Sequence, residues 1–329
     1  MKSISKYLFL FLLPVCISQP FSNHSDNKKI CKNPRIEWLD EISLKSINTS
    51  NGGFFESLSN FIFGQEDLTI MRPFNLLMDS NGTIFFIDQA IKKIIKYSFD
   101  ENEIETLLSD KVEFKSPVGL CLTSTDLVIT DSERDIVYKY NFDSEDISIL
   151  TSYLQQPTGI IYLEHIQEFW VCETKQHRIV RLDKEGNIIG LIGQRGVELG
   201  QFNFPTFIWT DKNGRIYVND SMNFRIQVFS EQGYPIKQFG KSGDGSGDLA
   251  RPKGIATDSY GNIYVVDALF NNVQVFDQSG KLLSTFGVQG TDKGEFWLPI
   301  GIFINDENKI FISDSFNSRI QIFQLKCDD

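Results

Sequence analysis

Ile216-Tyr217-Val218-Asn219-Asp220-Ser221, followed by Arg225-Ile226-Gln227-Val228-Phe229, is the stretch from which the chain can be read. It returns as Ile263-Tyr264-Val265-Val266-Asp267 with Val273-Gln274-Val275-Phe276. It returns again as Ile310-Phe311-Ile312-Ser313-Asp314 with Arg319-Ile320-Gln321-Ile322-Phe323. Asp220, Asp267 and Asp314 are spaced 47 residues apart. Each copy is introduced by a proline and an apolar run, such as Pro205-Thr206-Phe207-Ile208-Trp209, and then by a turn of the Asn213-Gly214 kind. Weaker copies lie upstream. Prolines 73, 117, 157, 205, 252 and 299 are six of the ten in the chain and share one phase. The matching acids are Asp88, Asp131, Glu173, Asp220, Asp267 and Asp314.

Apolar, β-branched and aromatic runs bounded by Gly, Asn and Asp read as short strands. A repeat in the forties made of such strands is the signature of a propeller blade, and six copies predict six blades. Copies three to five carry a further run after the motif, at 188–192, 236–239 and 282–286; copy six ends without one. Arg35-Ile36-Glu37-Trp38-Leu39-Asp40-Glu41-Ile42 alternates like a strand. It is expected to fill that place, closing the ring and pairing edges that would otherwise stay open.

Proline, apolar strand, turn, Ile-Tyr-Val-x-Asp and Asn-x-Arg-Ile-x-Val-Phe together resemble the NHL repeat, over about residues 64 to 325. The resemblance implies an all-β, six-bladed NHL-type propeller. It says less about function, because NHL propellers occur in RNA-binding regulators, receptor-kinase sensors, amidating lyases and exported bacterial proteins. The chain is most similar to the last group.

The ends carry their own signals. Lys2, Lys6 and the apolar run Tyr7–Val15 are expected to form a signal peptide over 1–18, too short to span a bilayer. Cys16 opens a second reading, a lipoprotein signal cut just before it. Residues 19–33 are polar and expected to be a disordered leader, leaving 34–327 as one propeller domain. Phe54, Phe55, Leu58, Phe61 and Ile62 are spaced as one face of a short helix, expected to cap one end of the propeller. Cys31 lies four residues before Arg35 and Cys327 four after Phe323, so antiparallel closure would bring them together as a disulfide. Cys121 and Cys172 sit in different copies and phases and are expected to be buried thiols.

Chemistry is sparse. The glycine-rich connectors at 193–200, 240–247 and 287–294 recur in phase, and a strand follows each where a phosphate site would need a helix. Of the three histidines, His24 lies in the leader. His165 and His177 cannot make the three-histidine zinc site of the amidating lyases, and His177 is expected to be an ordinary exposed or half-buried loop residue. No nucleophile elbow is present, and no metal or cofactor is expected. The repeated acids are expected to accept hydrogen bonds from the adjacent turn and to pair with residues such as Arg225 and Arg319; a cation ring at the channel mouth is the sharper alternative. The net charge of −11 opposes nucleic-acid binding.

Strand order places the connectors between blades on the same face as the turns that follow the acids. Met222, Phe224, Leu269, Phe270 and Phe316 put apolar side chains on those turns. The expected function is therefore an exported, non-enzymatic binding or scaffold module, periplasmic or at the cell surface. It would act as a monomer on a protein partner of the envelope, touching membrane only through a lipid on Cys16. The alternative is a metal-dependent lyase or lactonase-like hydrolase working at the channel mouth.

Overall fold

The computed structural model describes residues 34–43, 70–108 and 110–327. The prolines of the repeat each begin a strand, and the acids each end the next one. Blade 4 shows the pattern: Pro205–Thr210, Ile216–Asp220, Arg225–Phe229 and Pro235–Phe239 form one antiparallel sheet in sequence order. Six such four-stranded sheets are present among the described residues, and the chain is a six-bladed β-propeller. The first strand of each blade packs against that of the next, and blade 6 packs against blade 1.

Blade 6 takes its outer strand from the other end of the chain. Pro34–Ile42 pairs antiparallel with Arg319–Cys327, with Pro34 opposite Cys327 and Ile42 opposite Ile320. Trp38 donates from Nε1 to Gln321 Oε1 at 3.0 Å, and Glu41 meets Arg319 at 2.9 Å. Sequence reading left blades 1 and 2 without fourth strands. They have them, at Glu103–Leu107 and Ile147–Thr151. Each has a short apolar alternation, Glu103-Ile104-Glu105 and Ile147-Ser148-Ile149, but no glycine-rich connector follows to mark the end of the blade.

The proline start has a structural cause. In every blade the register between strands one and two shifts just after the proline, as between Pro205 and Ile208. Proline cannot donate to the ladder, and a bulge is where a sheet tolerates it. At the third position of the first strand, Gly119, Gly159, Gly254 and Gly301 bring neighbouring blades close together. A Cβ on Gly159 would sit 2.7 Å from Thr206 O, and one on Gly254 2.7 Å from Ile300 O. At the other end of strand one, Asp211 Oδ1 accepts from the N–H groups of Asn213 and Arg215, which fixes the tight turn. The helix expected near 53–63, the leader and the signal segment lie outside the described residues.

Candidate functional site

The face where the connectors enter is built on the repeated acids. All six are buried to 1% exposure or less. Each accepts a backbone N–H from the connector leading into its own blade. Asp88 takes Met71 and Arg72, Asp131 takes Lys115 and Ser116, and Glu173 takes Gln155. Asp220 takes Asn203, Asp267 takes Ala250 and Arg251, and Asp314 takes Trp297, at 2.6 to 3.0 Å. These charge-assisted bonds staple the connector to the end of strand two. The expected arginine pairing is present in blades 3, 4 and 6, where Arg178 meets Glu173 at 2.6 Å, and Arg225 meets Asp220 and Arg319 meets Asp314 at 2.8 Å. Arg225 also donates to the carbonyls of Val197, Glu198 and Gln201, so it holds the glycine-rich connector as well. Blade 5 has Asn272 in that place, and its Oδ1 is buried without a partner. The acids are thus structural staples. Among the described residues no cluster of three His, Cys, Asp or Glu could hold a metal ion.

On the same face the five apolar turn residues divide. Met222, Leu269 and Phe316 are 54%, 58% and 48% exposed. Phe224 and Phe270 are half-buried. Phe224 has φ of +55°, as do its counterparts His177 (+55°), Asn271 (+53°) and Ser318 (+54°). In those three blades the side chain reaches the next connector. His177 Nδ1 accepts from Phe204 N, Asn271 Oδ1 accepts from Leu298 N, and Ser318 Oγ donates to Met71 O. The position faces the neighbouring blade, which accounts for the partial burial of Phe224. His177 is therefore buried, against the sequence expectation. Burial, with Arg195 nearby, lowers its pKa below the usual histidine range. Around the exposed trio lie Trp297, whose ring is 6.0 Å from that of Phe316, and Arg72, whose guanidinium is 5.7 Å over Phe316. Arg195 and Arg251 are exposed on this face and in no ion pair among the described residues.

The remaining sites fall elsewhere. His165 lies on the opposite, short-turn face, 3.0 Å from Glu231. Cys121 and Cys172 are free and buried, and burial raises both thiol pKa values. Cys327 is not among the free thiols. Its expected partner, Cys31, lies outside the described residues.

Sequence reading missed the axis. The first strands of all six blades surround a cavity of about 190 Å³. Phe207 and Asn75 replace the glycine of the other four copies, and blades 1 and 4 are opposite each other. Phe74 and Phe207 stack across the axis with centroids 6.0 Å apart, near the connector end of the strands. The two departures from Gly in the third position were the available signal.

Residues 208–269 and 257–328 match a family model described as a 6-bladed beta-propeller. Solved structures share the fold at low identity. An auxiliary nutrient binding protein from Bacteroides thetaiotaomicron VPI-5482 is 14% identical over 77% of this chain and 69% of its own, with a TM-score of 0.64. Virginiamycin B lyase from Staphylococcus aureus is 14% identical over 89% of this chain and all of its own, with a TM-score of 0.60. A chain of the nidogen/laminin complex is 18% identical over 65% of this chain and 79% of its own, with a TM-score of 0.54.

Proposed function

We propose that this chain is an exported, non-enzymatic binding module whose connector face docks a protein partner of the cell envelope. The observation that carries the reading is the exposure of Met222, Leu269 and Phe316 at one phase of three successive blades. Water-exposed apolar groups repeated on one face, with an aromatic pair beside them, suit the centre of a protein interface. Arg72, Arg195 and Arg251 rim the same face in a chain that is acidic overall, so the partner offers an apolar patch edged by carboxylates. Export is supported by the charge and apolarity of residues 1–18 and by likeness to a nutrient-binding protein. The lyase alternative draws on the fold of virginiamycin B lyase, but His165 and His177 are both engaged away from the axial cavity.

The test is a triple substitution, Met222→Ser, Leu269→Ser and Phe316→Ser. The side chains are about half exposed, so the melting temperature should shift by only a few degrees. Capture of the partner from native envelopes should fall at least tenfold. Undiminished capture by the folded variant overturns the reading.

A further inference from the structure

The axial cavity is independent of the connector face and sits toward the other end of the first strands. Its lining is hydrocarbon, aromatic ring or uncharged polar, with no Asp, Glu, Lys or Arg. Leu120, Ile160, Ile208 and Ile302 lie buried midway along it. Met78, Leu122, Tyr162, Trp209 and Phe303, nearer the short-turn end, are half-exposed, so the cavity opens there. Phe207 and Asn75 form the floor, and Phe74 stacks on Phe207 from beyond it. The axis is thus stopped at one level and hollow below it.

Three of the polar side chains on the wall are already used within the protein, while the Tyr162 hydroxyl has no partner among the described residues. Asn75 donates from Nδ2 to Val118 O and accepts Leu76 N on Oδ1. Trp209 Nε1 donates to Thr257 Oγ1, and Thr210 Oγ1 donates to Asp211 O. A sugar or a charged molecule entering the cavity would exchange water for a wall with few free polar side chains and no charged one, which is costly. An apolar molecule would meet no such penalty. Hydrocarbon-lined cavities of about 150 Å³ stay dry and take up benzene-sized molecules. The ring of blades also limits collapse, because each first strand is fixed between two neighbours by the close glycine contacts.

We propose that the axial cavity binds a small, uncharged apolar molecule, of the size of one aromatic ring or a short branched acyl chain, entering from the short-turn face. Charged and strongly polar ligands of similar size are disfavoured because no charged side chain lines the wall and most of its polar side chains are engaged within the protein.

Cys121 is a built-in reporter, since it is a lining residue of the cavity while Cys172 is fully buried and does not line it. The experiment treats the folded full-length chain with methyl methanethiolsulfonate and follows each cysteine by peptide mass spectrometry, with toluene, benzylammonium or glucose as competitor. Cys121 should react at least tenfold faster than Cys172. Toluene should slow Cys121 at least fivefold and leave Cys172 unchanged, while benzylammonium and glucose leave both unchanged. Toluene binding seen directly by ligand-observed NMR should be lost when Cys121→Phe fills the space, or Ile161→Phe if the first variant does not fold. Equal reactivity of the two thiols, no protection by toluene, or equal protection by the polar competitors overturns the proposal.

Discussion

Replacing Lys253 by methionine should stabilise the protein at neutral pH, by an amount that shrinks as pH rises. Lys253 follows the proline of blade 5, at the connector end of the first strand. Burial, with Arg251 adding repulsion, lowers its amine from 10.5 to about 8. The folded pKa lies below the unfolded one. Between pH 8 and 10.5 the unfolded chain therefore binds more protons than the folded chain, and stability rises with pH. Below pH 8 both states are charged and the whole desolvation cost is present. The drop of 2.5 units (10.5 − 8), at about 1.36 kcal/mol per unit, sets an upper figure of about 3 kcal/mol. Partial solvent contact reduces this to roughly 1–3 kcal/mol, or about 2–6 °C for a domain of this size. Methionine keeps the stem that packs and removes the charge. Melting temperatures of both proteins from pH 7 to 10.5 provide the assay. The variant should melt higher at pH 7, with the gap closing toward pH 10.5. A gap independent of pH would assign the gain to packing. A variant less stable than wild type at pH 7 would show that the charged amine is a needed donor, and either result refutes the reasoning.

Other expectations follow from the staples and the closure. Asp220→Ala strands the buried Arg225 guanidinium and the Asn203 N–H, and should cost about 3–5 kcal/mol in urea denaturation; a loss below 1 kcal/mol would contradict the staple role. His177 is held neutral by burial, so its folded pKa is below its unfolded value and stability should be lost as pH falls from about 6.5 toward the lowered folded pKa. His177→Asn, which copies the acceptor role of Asn271, should remove that slope while keeping the hydrogen bond to the next connector, as read by melting curves between pH 5 and 7.5. Non-reducing peptide mapping should recover Cys31 linked to Cys327, and reduction should lower stability by up to about 5 kcal/mol; both thiols free in exported protein would dismiss the pairing.

The ring was legible because its determinants are local and repeated. A proline that needs a bulge, an Asx turn and an acid at the end of strand two leave the same letters in the same phase, so Asp220, Asp267 and Asp314 announce the blades. Glu103–Leu107 and Ile147–Thr151 were passed over because they are short and lie before connectors without the repeated glycines that frame the outer strands of blades 3 to 5. The split between Met222 and Phe224 was hidden for another reason. Two residues apart on one turn, they differ because a positive φ aims the second toward the neighbouring blade. The axial cavity is a property of six distant segments at once. Only the exchange of glycine for Asn75 and Phe207 pointed to it, and what that exchange meant depended on blades 1 and 4 being opposite.

On the proposed reading the connector face, and not the short-turn face, meets the partner. The most direct measurement is site-specific photocrosslinking in intact cells, with Leu269→p-benzoylphenylalanine on one face and Lys212→p-benzoylphenylalanine on the other. A discrete crosslinked envelope protein is expected from position 269 and none from position 212. The same adduct from position 212 alone, or from both positions equally, would contradict it.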